Sequence, residues 1–370
     1  MVKGLPGVSA AIQVQKLKKF VGNLLLLIST IVFIFMCGEI SLRLYHYHKY
    51  GTNILNGANQ VLAVKDDRLG WKLASNLSCD LKAKDGLGNS YNIHFETNKY
   101  GFRMFGNPQS NKLKIFFVGD SFTEAFQVSN NKTYYAFVKE GIRDVEVFAY
   151  GEGGYSTLQE FMILDEFLDL IKPNIIVLQF YEDNFFRNDY KLDRMKAFYN
   201  TGMARPFLDL EGRISYRYPT YDNLFIVLPS KISGNLRLLK IINQQLSFFI
   251  NIMLRRTVYD EISQLGEANE EFRHSVEITK LIMSMIKRRA GEIPVYLFCI
   301  TDRQPYYDTI KNICRSVGIH FIDGVPQGLN QFENEKRYIT RANDREHLNE
   351  LGNRIIGEKL IEYFDKNKIN

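Results

Sequence analysis

Four runs of strand-forming residues restrict what this chain can fold into more than any other feature. They are KIFFVG (114–119), VEVFAYG (145–151), NIIVLQFY (174–181) and VYLFCI (295–300), the last two entered through Pro173 and Pro294. A strand that is apolar at nearly every position has to be covered on both faces, which is the signature of a parallel sheet rather than a half-solvated antiparallel one. Helical periods fill the gaps: Leu158 to Ile171, a stretch around 262–290, Tyr307 to Val317 and Leu351 to Phe364. A short fifth strand is expected at Gly318-Ile319-His320-Phe321-Ile322-Asp323. Strands alternating with helices predict an α/β fold, with a five-stranded parallel sheet between helical layers.

The spacing is regular except between the third and fourth strands, which lie about 110 residues apart. A crossover needs a few tens, so this region holds a long insertion. It contains a polar, aromatic part (190–222) and an amphipathic run, LRLLKIINQQLSFFINIMLRR, from Leu236 to Arg256. That run reads as a core-covering helix, or alternatively as a membrane-surface or partner-binding one. Residues 40 to about 110 read as an irregular lead-in, with the turn-rich stretches DRLGW (67–71) and TNKYGFR (97–103).

Near the N-terminus, FVGNLLLLISTIVFIFMC (20–37) carries no charge and approaches the length needed to span a bilayer. Lys3, Lys16, Lys18 and Lys19 precede it with no acid among them, whereas Glu39 offsets Arg43 behind it. The positive-inside rule then puts residues 1–19 in the cytoplasm and the bulk of the chain on the periplasmic or extracellular side. A retained signal anchor fits better than a cleaved signal peptide, because the apolar stretch is long and no A-x-A site follows it. Phe35 and Met36 ahead of Cys37 are too bulky for a lipidation signal. Tyr45, Tyr47 and Tyr50, with His46 and His48, fit an interfacial belt. The expected division is an anchor at 20–37, a lead-in at 38–111 packed on the catalytic domain, and that domain at 112–370, with a helical insertion at 190–290.

Bulk composition excludes some classes. An apolar fraction of 45% and a charged fraction of 24% are those of a globular chain. The net charge of +6 is spread out, without a basic run interleaved with aromatics, so nucleic acid is not an expected partner. The four cysteines form no CxxC pair and no zinc pattern with the six histidines, and neither metal nor cofactor is called for.

In an open parallel sheet, ligands sit beyond the carboxyl ends of the strands. The polar residues there are Gly119-Asp120-Ser121 after the first strand, Gly151-Glu152-Gly153-Gly154 after the second and Glu182-Asp183-Asn184 after the third. Asn343-Asp344-Arg345-Glu346-His347 precedes the last helix. Such a set can perform acyl transfer. Serine is a weak nucleophile unless a base takes its proton, and His347 can do so for Ser121 while Asp344, three residues earlier, holds the other ring nitrogen. The Ser121 N–H, at a helix start, Gly151 and the Asn184 amide are candidate oxyanion donors. Asp120 can orient the serine turn or cap the helix. Glu124 reads as a first-turn helix acid, Glu152, Glu182 and Asp183 as a solvated acidic rim, and His320 as structural.

These blocks resemble, in order, those of the SGNH (GDSL-like) hydrolase superfamily: Gly119-Asp120-Ser121, Gly151, Asn184 and Asp344-x-x-His347, spread over about 112–364. The resemblance implies a flavodoxin-like three-layer αβα sandwich and an enzyme acting on ester bonds, by hydrolysis or acyl transfer. The LGW and TNKYGFR stretches and the long insertion look like membrane-anchored members of bacterial envelope-polysaccharide loci. That implies an acylated glycan as substrate and envelope polysaccharide assembly proteins as possible partners. The chain departs from the family in two places. Ala149 stands where Asn is common, and Asp183-Asn184-Phe185 replaces Gly-Asn-Asp, which leaves Asn188-Asp189 as a rival for the third block. The same residues serve an esterase or an O-acyltransferase, and a non-catalytic scaffold of a glycan assembly system is the third reading.

Overall fold

The computed structural model describes residues 6–50, 62–195, 204–217, 236–239, 241–242 and 256–369. A long helix, α1 (Pro6–Tyr50), comes first. Two hairpins follow: β1 (Ala63–Asp66) with β2 (Gly70–Leu73), and β3 (Ser78–Lys84) with β4 (Ser90–Glu96). After the two-residue strand β5 (Met104–Phe105) the chain runs β6 (Leu113–Gly119), α2 (Ser121–Glu124), α3 (Tyr134–Gly141), β7 (Val145–Gly151), α4 (Thr157–Ile171) and β8 (Ile175–Phe180). α5 (Asp183–Asn188) follows β8, and the insertion then supplies α6 (Tyr190–Met195), β9 (Arg205–Leu208), β10 (Ile214–Arg217) and α7 (Arg256–Leu265). The end of the chain is α8 (Glu270–Ala290), β11 (Val295–Cys299), α9 (Tyr306–Val317), β12 (His320–Ile322), α10 (Val325–Asn330) and α11 (Glu350–Lys366).

The main sheet has the order β12-β11-β8-β6-β7-β5. Its five parallel strands, numbered along the chain, stand in the order 2-1-3-4-5 when read from β7. That is the flavodoxin-like arrangement, with its switch point between β6 and β8. Alternate residues of each strand feed opposite cores, as the period of two requires. Phe116 and Val118 of β6 join Leu178 and Leu297 beneath α4, α8 and α9. Ile115 and Phe117 join Val177 and Phe298 beneath α3, α10 and α11. The result is three layers, helix–sheet–helix.

Three expectations change. A sixth strand, β5, pairs antiparallel with β7 through Met104↔Ala149 and Phe105↔Phe148. The lead-in is not irregular: residues 40–50 continue α1, and the described residues from 62 onward hold two hairpins and β5, with Leu73, Leu81, Ile93 and Phe95 forming a small core of their own. The insertion is not wholly helical either, because β9 and β10 make a hairpin. Of the amphipathic run 236–256, residues 240 and 243–255 lie outside the described residues.

α1 carries one segment, Gln15–His48, long and apolar enough to cross a membrane, and none of its apolar window is buried against the rest of the chain. Such an outward-facing apolar surface, with Leu26 and Phe33 about two-thirds exposed (67% and 68%), is what lipid would cover. Near its end, Glu39 accepts the N–H groups of Arg237 and Leu238 at 3.0 and 2.8 Å, tying α1 to the insertion.

Candidate active site

Gly119 closes β6 and has no room for a side chain: a Cβ there would stand 2.2 Å from Thr123 Oγ1 and 2.5 Å from Gln179 Oε1. Asp120 follows, fully buried, and does both things open to it. Its Oδ1 accepts the Phe122 N–H (3.1 Å) and caps α2, and its Oδ2 takes an N–H of Arg187 at 2.7 Å. Arg187 is itself buried and also reaches Asp183 at 3.3 Å. Burial opposes the Arg187 charge, but the Asp120 carboxylate more than compensates and raises its pKa. The Asp120 carbonyl takes the N–H groups of Thr123 and Glu124. The cap therefore occupies the donors of the first turn beyond Ser121 and leaves the Ser121 N–H outside it. α2 is a single turn, so its macrodipole is small and any help it gives an anion comes from that N–H directly.

Ser121 Oγ lies 2.9 Å from His347 Nε2, and His347 Nδ1 lies 2.7 Å from Asp344 Oδ2. Asp344 Oδ1 accepts the backbone N–H groups of Glu346 (3.0 Å) and His347 (2.9 Å), which fixes the turn that carries the histidine. Burial lowers the His347 pKa, and the hydrogen bond and charge of Asp344, with Glu346 and Asp120 further off, reverse this and hold it above the ordinary value. Burial raises the Asp344 pKa, and the His347 contact with the two backbone N–H groups pulls it below the usual carboxylate range. A hydroxyl, an imidazole and a carboxylate in line can turn the hydroxyl into a nucleophile at neutral pH.

Gly151 presses against the turn that follows Ser121, since a Cβ on it would meet Glu124 N at 2.3 Å and Thr123 C at 2.5 Å. Asn184 is placed differently from the expectation. It is fully buried, its Oδ1 accepts the Tyr181 N–H, and its amide nitrogen donates to Glu160 Oε1 at 2.9 Å and faces Thr157 Oγ1 at 3.5 Å. Burial pushes the Glu160 carboxyl well above its usual range. The rival block is structural: Asn188 bridges Thr157 and Thr279, and Asp189 pairs with His274 at 2.5 Å. Glu152, Glu182 and Asp183 are buried rather than forming a solvated rim, and Glu124, also buried, is the first-turn acid of α2 that the sequence implies.

The lead-in stretches find their use here. Arg103 of TNKYGFR is buried and donates to the carbonyls of Glu124, Ala125 (both 2.6 Å) and Val128 (2.8 Å), closing the far end of α2. Trp71 of DRLGW donates to the Gly153 carbonyl at 3.1 Å and accepts the Tyr155 hydroxyl at 2.6 Å, bracing the loop after β7. The β3–β4 turn grips the histidine turn through Asn343 N to Lys84 O and Gly86 N to Arg341 O. Sequence reasoning missed Arg187, Arg103 and Gln179. The signal for Gln179 was present, as the one polar residue inside an otherwise apolar strand run.

A parallel αβα sandwich with a serine–histidine–aspartate chain at its switch point defines the class of site. No protein-family model matches the chain. No curated protein matches it either. Solved structures do. It is similar to LAE5, an alpha/beta hydrolase enzyme from the metagenome of Lake Arreo, Spain (12% identity, 68% of this chain and 94% of that one, TM-score 0.39). It is also similar to a member of the lipolytic protein G-D-S-L family from Veillonella parvula DSM 2008 (13%, 69% and 99%, 0.36). A third is Axe2, an acetylxylan esterase from Geobacillus stearothermophilus (12%, 68% and 94%, 0.36). At such identities and scores the functional reading stands on the residues of this site.

Proposed function

We propose that this chain is a membrane-anchored serine esterase that removes O-acyl groups from a glycan of the cell envelope. The observation that carries the reading is the hydrogen-bonded line Ser121 Oγ–His347 Nε2, His347 Nδ1–Asp344 Oδ2. Ser121 Oγ attacks the ester carbonyl as its proton passes to His347 Nε2. The new oxyanion faces the Ser121 N–H and Gly151. Collapse expels the alcohol, which takes the proton from Nε2 and leaves Ser121 acylated. A water then gives a proton to Nε2 and attacks the acyl carbon, releasing the acid and restoring the serine. Asn184 joins the donors only if its bond to Glu160 opens, and otherwise braces the turn after β8.

The lysines ahead of the apolar span and the offset pair Glu39–Arg43 behind it support a catalytic domain outside the cytoplasm. We divide the chain accordingly into a cytoplasmic start, the anchor, the lead-in and the sandwich with its insertion. The test is turnover of p-nitrophenyl acetate by the detergent-purified protein, with labelling of Ser121 by a fluorophosphonate. An intact, folded protein that takes no label and turns over no ester sinks the reading and leaves a scaffold. Protease treatment of spheroplasts checks the side, and a protected domain reverses the topology.

A further inference from the structure

Beside the catalytic turn lies an open cavity of about 390 Å³, within the range of small-ligand sites. It shares a wall with the active site. Tyr181, which lines it, packs its ring on Phe122 (centroids 5.0 Å apart), the neighbour of Ser121. Phe122 packs in turn on His347 at 5.2 Å. Glu346, next to His347 in the chain, also lines the cavity and accepts the Tyr181 hydroxyl at 3.2 Å. A molecule seated here would lie beside the residues that flank His347, the side on which the alcohol of an ester must collect its proton.

The lining charges are not equivalent. Glu333 is engaged by the N–H and hydroxyl of Thr340, with Arg341 Nε at 4.0 Å. Arg341 donates to the Glu346 carbonyl at 2.9 Å. Arg345 differs: among the described residues no carboxylate pairs with it, and its guanidinium lies over the Tyr338 ring, 4.8 Å from the centroid. Its backbone is in the left-handed region (φ 62°), an unfavourable place for a non-glycine residue, held by Arg345 N to Ala342 O at 2.9 Å and by the Asp344 turn. A long cationic side chain fixed on an aromatic face beside a cavity presents its fork to a carboxylate. Tyr181 and Tyr338 add aromatic surface to the lining, of a kind that suits the C–H groups of a pyranose. We infer that this cavity binds the sugar that carries the ester, and that the sugar is acidic, a hexuronate class of residue whose carboxylate pairs with Arg345.

The location rests on the esterase reading, but binding can be read without turnover. Calorimetry of unesterified trigalacturonate on full-length Ser121→Ala should give saturable binding, weakened about tenfold by adding Arg345→Gln and less by Arg345→Lys. Neutral xylotriose should bind at least tenfold more weakly than trigalacturonate. In the active protein, kcat/KM for O-acetylated galacturonate oligomers should exceed that for O-acetylated xylo-oligomers about tenfold, and Arg345→Gln should collapse this ratio. Equal affinity for the acidic and neutral trisaccharides, or a ratio that survives Arg345→Gln, overturns the inference. A protein that binds trigalacturonate through Arg345 yet hydrolyses no ester refutes the esterase reading and leaves the cavity assignment standing.

Discussion

The nucleophile and its base are held in opposite ways. Ser121 sits on a turn with buried, tightly held neighbours: Asp120 bonded to Arg187, Gly119 packed against Gln179, Thr123 bonded to Tyr134 at 2.9 Å, and the end of α2 to Arg103. His347 sits on a turn held mostly by its own backbone and by Asp344, whose side chain is 40% exposed. The first half resembles a protein core and the second a surface loop fastened at two points by the β3–β4 turn. Precision at the serine therefore comes from packing and ion pairing, and at the histidine from one carboxylate that water partly screens.

The largest way to break this contrast is to remove either partner of the proton transfer. Ser121→Ala and His347→Ala should each cost about 10⁵-fold or more in kcat for a small ester, since each alone disables the unit. Neither should unfold the protein, because neither group bonds into a core, and circular dichroism and thermal melts check this. The nucleophile side should be the one that destabilises. Arg187→Met leaves the fully buried Asp120 carboxylate without its ion-pair partner and should cost about 3–5 kcal/mol in denaturant unfolding. A cost under 1 kcal/mol would mean the network behind the serine is not holding it.

How far the sequence discloses this contrast follows from the same physics. The five parallel strands were legible because double burial makes each run apolar throughout. Ser121, Asp344 and His347 were legible because polar residues at strand ends and turns have few other reasons to be there. The pairing of Asp120 with Arg187 was not, since it joins residues 67 positions apart and only the strand order brings β6 beside the turn after β8. The β3–β4 hairpin was hidden by the residues on its open face, Lys82, Lys84 and Asn92, whose strand propensity is poor and which tertiary pairing overrides. The direction of the Asn184 amide depends on Glu160, a helix residue 24 positions earlier, and no local pattern encodes it.

The base side is sharpened by Asp344→Asn. A fully buried triad aspartate loses about 10⁴-fold on this change, largely through the wrong histidine tautomer. Asp344 is partly screened, and two backbone N–H groups hold its other oxygen. The expected loss is therefore smaller, about 10²–10³-fold. The pH profile carries the rest. His347 acts only when neutral, and Asp344 raises its pKa, so the acidic limb of kcat/KM should lie above the unperturbed histidine value and move to lower pH in the variant. A limb that stays in place would mean that Asp344 orients the ring without charging it.

The smallest effect separates the two sides by sign. Behind Ser121, burial pushes the Glu124 carboxyl up to about 7, while Arg103 and His347 draw it down and Asp120 draws it up. Burial and the Glu124 charge hold Glu152 well above the usual range, and among the described residues its buried Oε2 has no hydrogen-bond partner. The folded chain therefore keeps a proton on Glu124 that the unfolded chain releases near the ordinary glutamate value. Between those two points the folded state binds more protons, so stability falls as pH rises towards about 7. Asp344, with its lowered pKa, contributes in the opposite direction, and its stabilisation is lost as pH falls through its folded value. Glu124→Gln carries no charge at any pH and escapes the first loss. Its Tm should match the wild type near pH 5 and exceed it by about 4 °C at pH 8, roughly the shift that 1–2 kcal/mol gives a chain of this size. Parallel melting curves across that range would show that Glu124 is already ionised at pH 5, with Arg103 neutralising it, and that the interior behind the serine is charged after all.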